Sequence, residues 1–109
     1  LTDDLGHVKN NSLSTNLPSS IGNLHKVSMF LASGNKFSGS IPESIGSMTA
    51  LASLRLFSNK LIGNIPSSIG SLTKLNDLIL YANSLSGVLP STLGSLANIN
   101  KVELVIFQE

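Results

Sequence analysis

The chain has 109 residues, enough for one domain, with seven Lys and Arg against six Asp and Glu and a formal net charge of +1. Scattered cations with no net excess give no electrostatic footprint for nucleic acid or an anionic membrane surface. The lack of Cys excludes disulfides, thiolate metal sites and thiol nucleophiles, and no apolar run approaches the roughly 20 residues of a membrane-spanning helix.

Charged residues make up only 12% of the chain, against about 25% in an ordinary globular domain. Leu and Ser each occur 19 times, as regularly spaced core positions separated by small polar positions require. The first residue is Leu, with no charged-then-apolar leader, so the chain reads as a processed form or a fragment. Residues 3–10 read as a degenerate first strand. His7 with Asp3 and Asp4 groups metal-ligand residue types but lacks a further ligand, and reads as a solvated edge.

From Asn11 the chain repeats itself. Asn11, Asn35, Asn59 and Asn83 stand 24 residues apart, Pro18, Pro42, Pro66 and Pro90 fall seven residues after each Asn, and Gly22, Gly46, Gly70 and Gly94 four residues later still. A fixed period of roughly 20 to 50 residues marks a solenoid, in which each coil buries its apolar side against its neighbours. The repeats run 11–34, 35–58, 59–82 and 83–106.

Within each repeat the pattern changes twice. Leu54-x-Leu56, and again Leu78-x-Leu80, has the period of two expected for a short strand with one buried face. Asn59 then turns the chain; its amide both donates to and accepts from the backbone of adjacent coils, so Asn11, Asn35, Asn59 and Asn83 are predicted to form a ladder. An extended Leu-x-Gly-x-Ile-Pro segment follows, with Gly39, Gly63 and Gly87 supplying unusual backbone angles and Pro fixing φ. The word SSIGSL is too short for a stable α-helix and predicts a single 3₁₀ turn carrying Ile69 and Leu72 inward. The Ser residues read as solvated turn positions.

Parallel strands stacked side by side display their outward residues as a grid. One column runs His7, Leu31, Arg55, Ile79, Glu103; a second runs Met29, Ser53, Asp77, Lys101; a third runs Lys9, Ser33, Phe57, Tyr81, Val105. Neighbours in a column lie roughly 4.8 Å apart, which predicts a pair between Asp77 and Lys101. Phe57, Tyr81, Ile79 and Leu31 are apolar at positions the core does not need, and such clusters mark contact surfaces. Five such strands offer on the order of 300 Å², short of the roughly 800 Å² that one partner contributes to a standard interface. The last strand leaves Ile99, Val102 and Leu104 with nothing stacked beyond them, so Val102, Leu104, Ile106 and Phe107 are predicted to contact a partner or further repeats.

The pattern apolar-x-x-Leu-x-Leu-x-x-Asn-x-Leu-x-Gly-x-Ile-Pro-x-x-Ile-Gly-x-Leu, running from Asn11 to Ile106, resembles the plant-type leucine-rich repeat of receptor-kinase ectodomains, receptor-like proteins and polygalacturonase inhibitors. Thr15 replaces one repeat glycine, Ala32 replaces a core Leu, and Phe107 stands where a fifth ladder Asn belongs. The resemblance implies an α/β solenoid, a right-handed coil with a parallel sheet on its concave face and short 3₁₀ turns on its convex face. All of 1–109 then forms a single leucine-rich repeat domain, a fragment of, or a subunit in, something larger.

By that resemblance the chain is a non-catalytic protein-interaction module that needs no cofactor or metal and takes a protein or peptide partner rather than nucleic acid. Catalysis requires converging groups of matched pKa, and no Gly-x-Ser-x-Gly, phosphate-binding glycine loop or His-Glu-x-x-His is present. The contact residues implied on the concave face are Leu31, Arg55, Phe57, Asp77, Ile79, Tyr81, Lys101 and Glu103. Two other readings stand beside this one: a structural subunit of a multi-protein complex, and ice binding, against which the mixed outward column His25, Thr49, Thr73, Ala97 argues. The family points to an extracellular location. The Cys-containing caps of secreted members are absent, which leaves an organellar complex as the alternative, and Asn10-Asn11-Ser12 is the single glycosylation sequon.

Overall fold

Short apolar-x-apolar triplets give short strands. In the computed structural model, which describes residues 15–106, they are β1 (Met29–Leu31), β2 (Ser53–Arg55), β4 (Asp77–Ile79) and β6 (Lys101–Glu103). These lie in one parallel sheet in the order β1-β2-β4-β6. The register pairs Met29 with Ser53, Ser53 with Asp77, and Asp77 with Lys101, so one strand step is one 24-residue repeat. The predicted strand at 3–10, together with His7, Lys9, Asn11 and the Asn10 sequon, lies outside the described residues, as does Phe107.

Each Pro starts the return path. Pro18, Pro42, Pro66 and Pro90 are extended, and five-residue 3₁₀ turns follow at Ser19–Asn23, Glu43–Ser47, Ser67–Ser71 and Ser91–Ser95. The Pro C=O accepts the first turn bond, from the N–H of Ile21, Ile45, Ile69 or Leu93. Proline suits this place because the first N–H of a helical turn has no partner within it. Ile69 and Leu72 point into the core, both with no exposed surface. The turns pack on one another because Gly lets them: a Cβ on Gly46 would lie 2.7 Å from both Cβ and the backbone O of Ser68.

The extended segments after the Asn turns also pair, which the sequence pattern did not signal. β3 (Ile62–Gly63) and β5 (Ser84–Leu85) form a second, two-stranded parallel sheet, continued by isolated bridges Asn16 to Ser38 and Ser40 to Ile62. Positive φ at Gly63 and Gly87 (78° and 83°) bends each segment toward its proline. Stacking at strand spacing brings any extended stretch alongside its copy, so the pairing follows from the repeat itself.

The core runs along the solenoid between the two sheets and the turns. In the coil where Ala32 stands for the usual Leu, Phe30 and Phe37 occupy positions held by Leu54 and Leu61 in the next coil, and all five are fully buried. A small residue flanked by two large ones keeps the coil filled, as close packing requires.

Candidate binding surface

The ladder fixes how the coils present their faces. Asn59 Oδ1 accepts the Phe37 N–H at 3.1 Å, while its Nδ2 donates to the C=O of Ala32 in the preceding coil (3.1 Å) and of Leu56 in its own (3.0 Å). Asn83 makes the same set with the Leu61 N–H (2.9 Å), Leu56 C=O (2.8 Å) and Leu80 C=O (3.2 Å). Asn35 is buried in the same way and donates to the Ala32 C=O at 3.0 Å. Asn59 and Asn83 thus each tie a turn to the coil before it, satisfying backbone groups that a buried turn would otherwise leave without partners.

On the concave side the structure divides the expected contact residues. Phe57 and Tyr81 stack with ring centroids 4.9 Å apart and planes 11° from parallel, both partly exposed. Arg55 and Lys101 are exposed, and Leu31 and Glu103 half-buried. Asp77 and Ile79, however, are 6% and 4% exposed. They lie mid-sheet with strands on both sides, so they support the surface rather than form it.

The expected Asp77–Lys101 pair does not form. Arg55 reaches the Asp77 carboxylate instead, with Nη2 at 2.7 Å and Nε at 3.0 Å from Oδ2. Lys101 turns along its own strand to Glu103, 3.2 Å away. The guanidinium brings two N–H donors to a carboxylate that is nearly dry and therefore needs a hydrogen-bonded partner. Residues two apart on a strand share a face, so the exposed Lys101 finds Glu103 without leaving solvent.

One feature escaped the sequence reading. Ser68 Oγ donates to the Glu43 C=O and Thr92 Oγ1 to the Ser67 C=O, both at 2.7 Å, and Ser33, Ser44 and Ser53 have buried hydroxyls. Ser68 and Thr92 thus join neighbouring coils through their hydroxyls; the Ser or Thr two residues before each repeat glycine was the available signal. In the last described coil, 83–106, where the sequence left Val102 and Leu104 with nothing stacked beyond them, Leu89 and Val102 are 45% and 48% exposed, with Leu104 and Ile106 packed partly against the core. Among the described residues no group of three His, Asp or Glu lies close enough to hold a metal ion, and no helix is long and apolar enough to cross a membrane.

Comparison with known proteins places this geometry. The Leucine Rich Repeat family profile matches residues 27–48, 50–72 and 74–96. Among solved structures the chain is similar to the ectodomain of the plant membrane receptor kinase GASSHO1/SCHENGEN3 from Arabidopsis thaliana, in complex with CASPARIAN STRIP INTEGRITY FACTOR 2, at 36% identity and a TM-score of 0.83. That alignment covers 87% of this chain and 12% of the receptor. It is similar to the plant peptide hormone receptor RGFR1 in complex with RGF2 at 33% identity and a TM-score of 0.84, over 87% of this chain and 16% of that one. A plant ice-binding protein aligns at 31% identity and a TM-score of 0.78, over 92% of this chain and 33% of that protein. The chain therefore spans a minor part of each of these relatives. No curated protein sequence matches it significantly.

Proposed function

Because the chain belongs to the leucine-rich repeat family, as matches of the family profile over more than half its length establish, we propose that it is a non-catalytic recognition module whose concave face takes an extended peptide segment of a protein partner. The observation that carries this reading is the Phe57–Tyr81 stack. Two aromatic rings held rigid against each other and partly open to solvent are an anchor surface on which an apolar side chain packs at small entropic cost. Leu31 extends the apolar strip, and Arg55, Lys101 and Glu103 surround it with charge.

Complexes of the receptors GASSHO1/SCHENGEN3 and RGFR1 with their partners support a peptide as the ligand class. On this reading residues 1–109 act as one recognition unit within a longer array or a larger assembly, with Val102, Leu104 and Ile106 as its second contact. Selection from a displayed library of random peptides tests it. Peptides with an apolar residue beside an acidic one are expected, and Phe57→Ala with Tyr81→Ala should weaken them by at least about tenfold, equivalent to 1.4 kcal/mol. Selected peptides that bind the double variant as well as the wild type would reject the concave anchor.

The likeness to a plant ice-binding protein favours a second reading. His25, Thr49, Thr73 and Ala97 form an exposed column, but its chemistry is mixed where an ice-matching row is uniform. Thermal hysteresis separates the readings: recognition of a peptide expects the value of buffer alone.

A further inference from the structure

On the concave side a cleft stands next to the aromatic stack. It opens where β2 and β4 begin, holds about 640 Å³, and has Met29, Ser53, Arg55, Lys74, Asn76 and Asp77 among its walls. Arg55 stands two residues before Phe57, roughly 6.6 Å along an extended chain. Cleft and stack therefore share one continuous surface.

The polar groups of the cleft are unevenly matched. Arg55 gives its Nε–H and one Nη2–H to Asp77 Oδ2, and the other N–H groups of the guanidinium, which has five donors in all, stay open. Lys74 is exposed and has no carboxylate partner among the described residues. Ser53 is 7% exposed, and its hydroxyl is enclosed without a hydrogen-bond partner. Because Leu54 is fully buried, alternation along β2 turns Ser53 outward to the cleft. A buried hydroxyl left unpaired is costly, so a ligand that accepts from it makes the bond the fold leaves unmade. Asp77 is the single acidic residue of the walls and its charge is met by Arg55, so Lys74 leaves the cleft net positive.

We propose that this cleft is an anion subsite, taking the side-chain carboxylate of an Asp or Glu in the bound segment, a role that rests on the peptide recognition proposed above. The open guanidinium N–H groups and the Lys74 ammonium donate to the carboxylate oxygens. The Ser53 hydroxyl joins them once Met29, its unbranched neighbour across the strands, swings aside. Three donor groups beside one acid that is already paired favour a ligand group that only accepts. An ammonium would meet Arg55 and Lys74 as like charges, and an amide would bring donors that find few open acceptors. The cleft is far larger than one carboxylate, which leaves room for the chain to continue past it and suits a side chain rather than a chain end.

Titration of the whole chain with a selected acidic peptide, and with a copy whose Asp or Glu is exchanged for Asn or Gln, tests this. The amide copy is expected to bind the wild type at least about tenfold more weakly. Ser53→Ala removes a hydroxyl that no bond in the fold uses, so the melting temperature should not fall. The same variant should weaken the acidic peptide at least about fivefold and the amide copy less than about twofold. Lys74→Glu, a change at an exposed position, should show the same selectivity with a larger loss. Phe57→Ala with Tyr81→Ala weakens both peptides alike, which keeps failure of the anchor apart from failure of the cleft. An amide copy that binds as tightly as the acidic peptide, or an acidic peptide indifferent to Ser53→Ala and Lys74→Glu, would overturn the subsite while leaving the anchor standing. Binding lost only on amidation of the peptide's C-terminus, or a selection that yields no acidic peptides, would overturn it as well.

Discussion

The coils 59–82 and 83–106 carry nearly the same words, yet the same positions have different surroundings. Leu78 is fully buried and Ile65 is 3% exposed, while their equivalents Val102 and Leu89 are 48% and 45% exposed. A Cβ on Gly70 would meet Thr92 at 2.5 Å, whereas one on Gly94 would meet nothing within 4 Å. Burial in this molecule thus belongs to the junction between coils rather than to any coil. A repeat supplies half of each junction, and its neighbour supplies the rest.

Paired substitutions sharpen that contrast. The largest difference is expected between Leu78→Ala, which opens a cavity in a closed junction at about 2–5 kcal/mol, and Val102→Ala, which removes half-exposed surface at under about 1 kcal/mol. Chemical denaturation of both variants measures the gap. Next comes the ladder: Asn59→Ala leaves the buried Phe37 N–H without a partner and removes one of the two amide donors to the Ala32 C=O, at roughly 1–3 kcal/mol. Asn64→Ala alters an exposed turn side chain and should stay within about 0.5 kcal/mol. Equal melting shifts for these two would break the account of the ladder.

Smaller effects test the convex side. Gly70→Ala is expected to destabilise by about 1–3 kcal/mol by forcing the turns apart. Gly94→Ala, with open space around it, should be neutral or stabilise by up to about 1 kcal/mol through the unfolded chain. The smallest change concerns Ala82, held at φ 57° where the preceding repeats have Ser58 at 58° and Gly34 at 74°. Ala82→Gly relieves a left-handed conformation and should raise stability by about 1 kcal/mol.

The period of the Asn, Pro and Gly columns made the solenoid legible, because each column has one geometric duty in every coil. The strand triplets, the 3₁₀ turns after Pro and the inward Ile69 and Leu72 follow from local pattern. The concave surface was legible only as a grid. Alternation puts Asp77 and Ile79 on the outward side of their strand, but the strands on both sides and the Arg55 guanidinium on Asp77 decide whether outward means exposed. The choice of Arg55 over Lys101 as the partner of Asp77 depends on reach and desolvation, which spacing does not encode. Likewise Ser68 and Thr92 look like any turn serine or threonine until the coil before them is in place.

In the proposed reading the coil junctions hold the scaffold, and the Phe57–Tyr81 side of the concave face takes the partner. The most direct test is a backbone amide spectrum of the chain titrated with a peptide selected for binding. Shifts are expected to concentrate in β1, β2, β4 and β6 and in Phe57 and Tyr81, with Gly46, Ser68, Gly70 and Thr92 unmoved. Shifts centred on those convex turns, with Phe57 and Tyr81 unchanged, would contradict it.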